Sequence, residues 1–557
     1  MLEAIAEPEE RVLTERYAAI DAQLERSDTP GARRAVFDSW DGLRREWRSW
    51  ANFTRLRYTQ DTRRDECRAA QLGLEQRTPH VTSLDVRVKR RFLDPTAREP
   101  LEDDLGKQAF ALWDADLGAY DDVIAADLIR ESELTRQYTE MLANVSVPFA
   151  GEDRTLAALG AFLQNHDREV RHAAETARWG AFGERRERLD AIYDELVKLR
   201  DRMGRALGYD GYLPLGYRRM HRVDYGPDDV ARYRDEVART VVPLASDLVR
   251  RLGKRAGLDK VRFWDEPVIG ASKPIVPQGN AAWIVARAVD SLASIDPALG
   301  EFARMMQERE LLDVDGRAGK AGGAYCTNLP TRKIPFVFAN FNGTRGDVKT
   351  LMHELGHAFQ AWRSRDKVVM DYLTPTLESA EIHSMSLEYL SWPEMGRFFG
   401  DDAATYRQEH LLDAMLFLPY GVAVDHFQHL VYSHPSASPQ ERHEMWREME
   451  RRYLPWRDYG DLEHPLHGGL WQEKRHIYVA PLYYIDYTLA LCCALQFWVR
   501  ATKDRREALD AYITLCGRGG EAPFGELLRG AGLGSPFEPG TLEAVVAAAA
   551  AEFASVP

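Results

Sequence analysis

The chain has 557 residues, of which 45% are hydrophobic and 29% are charged, and its formal net charge is −14. This length suits several domains or one large helical body with an enclosed site. The negative charge gives no general attraction to nucleic acid or anionic lipid, and no apolar run is long enough to span a bilayer, so we expect neither partner.

The N-terminal segment and the cysteines predict a cytoplasmic location. Residues 1–17 carry acidic side chains where a secretory signal would carry basic ones, and they lack a sustained apolar region. There are only five cysteines, and Cys492 and Cys493 are adjacent, which is poor geometry for a disulfide framework.

Helical periodicity dominates residues 1–260, as shown by Leu189, Ile192, Leu196 and Leu199. Between residues 313 and 347, six glycines surround a β-prone run from Pro335 to Phe341, which predicts a small sheet with its loops. Helical periodicity then resumes as far as the C-terminus. We predict a mainly α fold with two domains, 1–190 and 191–557, and a small sheet beside the segment described next.

Residues 353–357 read His-Glu-Leu-Gly-His, an HExxH pattern. On a helix the two histidines lie about 40° apart and can offer two imidazole nitrogens to one Zn²⁺. They face away from an apolar stripe formed by Val348, Leu351, Met352, Leu355, Ala358, Phe359 and Trp362. The alternative is a polar helix face that carries two histidines and a glutamate by coincidence.

A hydrolytic zinc site needs a third protein ligand, and residues 376–390 supply three candidates. On a helix, Glu378, Glu381 and Glu388 fall within an arc of about 80°. We predict Glu381 as the third ligand, with Glu378 as the alternative, and we expect Glu388 to hold the free ring N–H of a ligand histidine. His383 should point to a different side, and the alternative for all three glutamates is a solvated helix face.

Two further histidine clusters are interpreted as packed or surface histidines. They are residues 425–429, with His426 and His429, and residues 464–467, with His464 and His467. Neither has an obvious catalytic acid or base at helical spacing.

A tyrosine-rich segment follows His476 and contains Tyr483, Tyr484 and Tyr487. Tyr484 and Tyr487 are three residues apart and share a helical face. Their phenols and the imidazole could donate to the oxyanion formed when water attacks an amide carbonyl. The alternative is a set of buried rings with satisfied hydroxyl groups.

Three segments together resemble the M3 family of metallopeptidases, the oligoendopeptidase F and thimet oligopeptidase group. They are MHELGHAFQ at 352–360, AEIHSMSLEYL at 380–390 and YYIDYTLALCCALQFW at 483–498. The resemblance extends over residues 190 to 540, with a weaker helical N-terminal part. It implies a gluzincin-like, mainly helical fold with a deep channel that admits short unstructured peptides, and one Zn²⁺ per chain.

The resemblance also implies roles for individual residues. It selects Glu381 over Glu378 as the third ligand, and it assigns His476, Tyr484 and Tyr487 to the substrate carbonyl, with Tyr483 as a further candidate. It makes one segment an edge strand that pairs with the peptide backbone, formed by Phe336, Val337, Phe338, Ala339 and Asn340.

The resulting hypothesis is a zinc metalloendopeptidase that hydrolyses internal bonds of short oligopeptides. Glu354 acts as general base towards a metal-activated water, and His353, His357 and Glu381 hold the metal. Two alternatives stay open: a zinc carboxypeptidase or dipeptidase with a similar helical channel, and a non-catalytic peptide-binding protein on the same scaffold. Nothing in the sequence predicts cleavage preference or oligomeric state.

Overall fold

A computed structural model of the chain describes residues 3–27, 29–270 and 273–554. The chain divides into two compact units. Unit 1 comprises Met1–Tyr120, Val276–Ala403 and Cys493–Ser535, and unit 2 comprises Asp121–Ile275, Ala404–Cys492 and Pro536–Pro557. Both units are discontinuous in sequence, and the division at residue 190 stays a prediction.

Unit 1 is built mainly from helices. They are α1 (Glu10–Glu25), α2 (Pro30–Gln60), α3 (Asp65–Phe92), α4 (Pro95–Leu105), α5 (Lys107–Ala119), α12 (Ala281–Ile295), α13 (Pro297–Glu308), α14 (Arg345–Arg363), α15 (Leu377–Leu390), α16 (Gly396–Phe399), α22 (Arg505–Arg518) and α23 (Phe524–Gly530). An aromatic core in this unit includes Phe37, Trp40, Phe92 and Trp113, which are fully buried. Burial of such large rings is the main driving force for helix packing here.

Unit 2 is also mainly helical. Its helices are α6 (Ala125–Ala143), α7 (Leu156–Leu163), α8 (Arg168–Gly183), α9 (Arg186–Ala206), α10 (Tyr212–Arg219), α11 (Pro227–Arg255), α18 (Pro439–Tyr453), α19 (Glu463–Leu466), α20 (Arg475–Val479) and α24 (Thr541–Ala554). Helices α17 (Ala403–Ser433) and α21 (Tyr484–Lys503) each contain a unit boundary. A hairpin of β1 (Ser146–Phe149) and β2 (Glu152–Thr155) completes this unit.

The prediction of a mainly α fold with a small sheet before the HExxH helix is confirmed. Within the described ranges, no helix combines the length and the apolar character needed to cross a bilayer.

The sheet of unit 1 has three strands, β3 (Leu312–Asp315), β4 (Tyr325–Leu329) and β5 (Ile334–Phe341), in the order β3-β5-β4. Strand β5 pairs in parallel with β3 and antiparallel with β4. Helix α2 contacts the sheet through Asn52, whose side-chain amide donates to the carbonyl of Asn328 (2.9 Å).

This order corrects one prediction. Residues Phe336, Val337, Phe338, Ala339 and Asn340 were expected to form an edge strand, but they lie in the central strand β5. Val337 and Phe338 have partners on both sides, so the backbone of this part of β5 is already paired. The run is strongly apolar because a central strand is buried, which is why composition alone did not distinguish it from an edge. Strand β4 is the edge strand that follows the glycine-rich segment.

Candidate metal centre

Helix α14 carries the HExxH pattern and begins directly after β5. The turn between them is fixed by Asp347, whose carboxylate accepts hydrogen bonds from the amides of Asn342 (3.0 Å) and Gly343 (2.7 Å). The apolar stripe of the helix is buried at Val348, Leu351, Met352, Leu355, Ala358 and Phe359. The histidines are thereby turned to the other side of α14.

That other side is covered by α15, and a glycine permits the close approach. A Cβ atom at Gly356 would lie 2.5 Å from the carbonyl oxygen of His383 and 2.6 Å from the Cα of Ser384. Both atoms belong to the backbone of α15, so no side-chain rotation could relieve the overlap. Gly356 therefore sets how closely α15 approaches the histidine face.

Three side chains converge where the two helices meet. Oε2 of Glu381 lies 3.3 Å from Nε2 of His353 and 3.4 Å from Nε2 of His357. One ligand atom from each of these residues can be chosen so that all lie within 4.8 Å of one another. The sequence patterns for the histidines and for Glu381 thus meet at one point in unit 1.

Two neighbours hold this arrangement in place. Oε1 of Glu388 lies 2.7 Å from Nδ1 of His353, which leaves Nε2 of that ring directed at Glu381. The hydroxyl of Ser384 donates to Oε2 of Glu381 (2.9 Å). Such contacts fix the orientation and tautomer of a metal ligand.

The charges of the cluster favour a cation at this point. Burial opposes a positive charge on His353, but hydrogen bonds to Glu381 and Glu388 outweigh burial and raise the pKa of that imidazole. Burial likewise opposes a negative charge on Glu381, but His357 and His353 hold the pKa of its carboxyl well below the usual value. Burial raises the pKa of Glu354.

The residues present fit a zinc ion. Two imidazole nitrogens and one carboxylate oxygen are one of the donor sets of catalytic zinc sites, in which the remaining position belongs to water or substrate. Glu354 is 5% exposed, and its Oε2 atom has no hydrogen-bond partner among the described residues. A buried carboxylate oxygen without a partner is costly unless a ligand or reactant uses it.

Two side chains of α15 lie outside this cluster. Glu378, the alternative third ligand, accepts a hydrogen bond from the hydroxyl of Thr376 (2.7 Å) in the first turn of the helix. His383 lies on another side of α15, where Nδ1 is 3.4 Å from Sγ of Cys516. Burial lowers the pKa of His383 to about 3, so the ring is neutral.

The polar groups of the cluster on α17 have partners within unit 2, except Oδ1 of Asp425, which has none among the described residues. Oδ2 of Asp425 accepts from Nη1 of Arg234 (2.6 Å), and it also lies 3.6 Å from Nε2 of His429. Nδ1 of His426 lies 3.0 Å from the hydroxyl of Tyr453. Burial, followed for His426 by repulsion from Arg234, lowers the pKa of each ring to about 4, so both are neutral.

In the second of these histidine clusters, at residues 464–467, one histidine is buried and the other is exposed. His464 is buried, and burial lowers its pKa to about 4. His467 is exposed and bonds to Glu463 one turn away (3.1 Å).

His476 and the tyrosines form a separate group in unit 2. The ring centre of His476 lies 5.3 Å from that of Tyr484, 5.9 Å from that of Tyr487 and 5.8 Å from that of Tyr483. Burial raises the pKa of Tyr484, so its phenol keeps the proton that a hydrogen-bond donor needs. Their role as oxyanion donors remains a prediction from the family resemblance.

Gly356 and Ser384 were not predicted as site residues, although the sequence carries a signal for each of them. A glycine in the middle of a helix costs about 1 kcal/mol relative to alanine and so indicates a packing or functional reason. Ser384 stands three residues after Glu381, the spacing at which helical side chains meet.

The chain is similar to known peptidases, both in sequence and in structure. The pattern of peptidase family M3 matches residues 161–268 and 288–546, and that of the peptidase M3 N-terminal domain matches residues 4–120. A solved structure of PZ peptidase A with an inhibitor is 40% identical, with a TM-score of 0.95, and the match covers 100% of this chain and 99% of that one.

Two curated relatives match over part of their length. Oligopeptidase PepF of Bacillus subtilis is 22% identical over 67% of this chain and 55% of its own. An oligoendopeptidase F homologue of Mycoplasma pneumoniae is 30% identical over 24% of this chain and 21% of its own. The matched regions thus span about half and about a fifth of these relatives. The M3 patterns cover well over half of the chain, so the resemblance drawn from the three motifs is confirmed, and the chain belongs to peptidase family M3.

Proposed function

We propose that this protein is a zinc metallopeptidase that hydrolyses internal bonds of short, unstructured peptides. The observation that carries the proposal is the convergence of His353, His357 and Glu381 beside a buried carboxylate oxygen of Glu354. Membership of family M3 and the PepF and PZ peptidase relatives support a peptide substrate. The free thiols of the five cysteines are consistent with the cytoplasmic location that forms part of the proposal.

In this proposal His353, His357 and Glu381 hold one Zn²⁺. The bound ion supplies Lewis-acid chemistry, lowering the pKa of water and polarising a carbonyl. Glu388 and Ser384 keep His353 and Glu381 oriented, because each contacts a ligand atom or the ring that bears it.

Glu354 acts as general base and then as general acid. Its carboxylate accepts a proton from the attacking water and later delivers it to the nitrogen of the departing amine. The residue precedes the ligand histidine His357 by three positions and follows His353 directly, so α14 holds all three side chains rigidly. Its unpartnered oxygen is available for the incoming proton.

The peptide backbone adds to the outer edge of β4 beside Cys326, since the carbonyl of Asn328 is already bonded to Asn52, rather than to β5. Because Asn328 bonds to α2 through its carbonyl, and alternate residues of a strand face the same edge, the backbone of Cys326 faces that edge too. Cys326 is close to the general base: burial and then the charge of Glu354 raise the pKa of its thiol. Strand addition supplies backbone hydrogen bonds regardless of sequence, which suits a peptidase of short peptides.

The test compares the zinc-loaded protein with Glu354→Gln, which keeps the size of the side chain but removes the base. We expect turnover of an internally quenched fluorescent peptide to fall by roughly 10³-fold, while metal content stays one zinc per chain. Full activity of zinc-loaded Glu354→Gln would contradict the assignment.

Blocked substrates separate an endopeptidase from the carboxypeptidase or dipeptidase alternative. Peptides with an acetylated N-terminus and an amidated C-terminus should be cut internally, as read by mass spectrometry. Release of C-terminal residues or dipeptides from unblocked peptides alone would favour the alternative.

A further inference from the structure

One face of α2 carries a row of polar side chains, Asp41, Arg44, Arg48, Asn52, Arg55 and Thr59. At 100° per residue these positions fall within an arc of about 80°. The N-terminal part of the row is buried and paired, because Arg44 donates to both carboxylate oxygens of Asp371 (2.9 and 2.6 Å). Arg48 and Arg55, further along the row, are exposed.

Two other arginines of the same helix form ion pairs with acids of that helix. Arg34 pairs with Asp38, and Arg45 pairs with Asp41. Within the part of the chain that the structure describes, neither Arg48 nor Arg55 forms an ion pair; Arg55 bonds only to Oδ1 of Asn52 (3.4 Å).

Asp371 and Asp85 act on Arg48 electrostatically, but neither forms an ion pair with it, and Asp85 pairs with Lys89 (2.7 Å). The carboxylate of Asp371 is occupied by Arg44 and by the indole N–H of Trp113 (2.9 Å). Glu75 acts on Arg55 electrostatically without forming an ion pair with it. Two unpaired guanidinium groups on one face of a chain with a net charge of −14 indicate a local site for an anion.

Two members of the row contact β4. Asn52, between the two arginines, donates to the carbonyl of Asn328, and the hydroxyl of Thr59 lies 2.6 Å from that of Tyr325. Both contacted residues belong to β4. Phe53 and Leu56, on another side of α2, line a cavity of about 160 Å³ together with Leu312 and Phe336 of the sheet. Arg57 lines the same cavity and so faces β3 instead of the β4 edge.

We propose that Arg48 and Arg55 bind a carboxylate of the peptide that lies on β4, and so give the enzyme a preference for acidic peptides. The inference rests on the proposed peptidase function and names its substrate class. A guanidinium binds a carboxylate through paired hydrogen bonds, and such bonds are stronger than those between neutral groups. The carboxylate belongs either to an aspartate or glutamate side chain or to the C-terminus of the peptide.

The experiment uses the zinc-loaded enzyme and matched peptides. One series replaces Gln by Glu, one position at a time, on each side of the cleaved bond, and a second compares a free C-terminal carboxylate with the amide. We expect kcat/KM to be roughly tenfold higher for one acidic member of a pair, mainly through KM. The series in which the ratio appears identifies the source of the carboxylate.

Arg48→Gln and Arg55→Gln should reduce that ratio towards one. Arg57→Gln is the matched control, with the same charge change on the same helix but on the β3 side, and it should keep the ratio. Equal rates for neutral and acidic peptides in the wild type would overturn the inference, as would an unchanged ratio in both Arg48→Gln and Arg55→Gln.

A measurement of peptide binding without turnover tests this inference separately from the proposed function. Anisotropy of the same labelled peptides with zinc-loaded Glu354→Gln reports charge preference without turnover. If the wild type cuts no peptide, the proposed function fails; if binding to Glu354→Gln also shows no preference for the acidic peptides, the charge inference fails independently.

Discussion

Two helices of this protein each carry a pair of histidines and meet a buried carboxylate, but they use them differently. On α14, His353 and His357 share Glu381, which comes from α15. On α17, the acid near His429 is Asp425 of the same helix, and Arg234 already pairs with it (2.6 Å). In the first cluster, the nitrogens of two histidines and an oxygen of Glu381 surround one point. In the second cluster, the cation beside the carboxylate is Arg234.

The spacing of the histidines explains part of the difference. A spacing of four residues places His353 and His357 about 40° apart around the helix axis, whereas a spacing of three places His426 and His429 about 60° apart. The partners explain the rest, since Tyr453 contacts His426 and Tyr217 lies 3.4 Å from His429. A histidine pair is therefore a candidate metal site when the neighbouring carboxylate comes from another helix and forms no ion pair with an arginine.

The largest expected difference between the two clusters is the loss of zinc affinity when one side chain is removed from each. We expect His357→Ala or Glu381→Ala to lower zinc affinity by more than about 100-fold, because even partners that only orient a ligand cost 10- to 100-fold. His429→Ala should leave it unchanged. Competition with a chromophoric chelator measures the affinity, and an equal loss in His429→Ala would show that α17 also binds zinc.

The sequence predicted the helices that carry the candidate metal ligands better than the structure around those helices. Helical period and residue type are local, so the HExxH helix, the helix of Glu381 and the position of Glu388 could be inferred from spacing. Which carboxylate meets which histidine depends on how α14 and α15 cross. Spacing favoured Glu381 but left Glu378 as the alternative, and the family resemblance decided between them. The role of Gly356 in that crossing was not recognised.

The order of the sheet could not be predicted from the same patterns. Phe336 to Phe338 are apolar and β-prone, which fits an edge or a central strand of a covered sheet equally well. Pairing with β3 and β4 is a non-local property, and it places these residues in the centre. The row of Arg48 and Arg55 was missed for a similar reason, since only the fold shows which arginines of α2 lack an acidic partner.

The second-largest effect should come from Glu388→Gln. The change keeps the size of the side chain but removes the charge that holds Nδ1 of His353, so we expect zinc affinity to fall by roughly 10- to 100-fold. Glu378→Gln on the same helix is the control, because Glu378 bonds to Thr376. A greater loss in Glu378→Gln than in Glu388→Gln would favour Glu378 as a ligand.

Gly356→Ala should lower zinc affinity less than Glu388→Gln does. The added methyl group would press on the backbone of His383 and Ser384 and push α15 away, moving Glu381 relative to the histidines. We expect a loss of stability of about 1–3 kcal/mol and roughly a tenfold loss of zinc affinity.

Gly346→Ala is the control for that substitution. It lies in the first turn of the same helix, where a Cβ would meet only the side-chain oxygen of Thr344 (3.3 Å). Equal zinc affinities for Gly356→Ala and the wild type, measured by chelator competition, would show that the close approach does not position Glu381.

Asp425→Asn should have the smallest effect on zinc affinity and a large effect on the free energy of unfolding. Asp425 and Arg234 are both buried, so the substitution leaves a buried guanidinium without its counter-charge. Breaking a buried ion pair on one side costs about 3–5 kcal/mol, and we expect urea unfolding to show a loss of that size. Zinc affinity should stay at the wild-type value, because Asp425 neutralises an arginine already present in the chain. A loss of zinc in this variant without a loss of stability would reverse the comparison and make α17 the metal-binding helix.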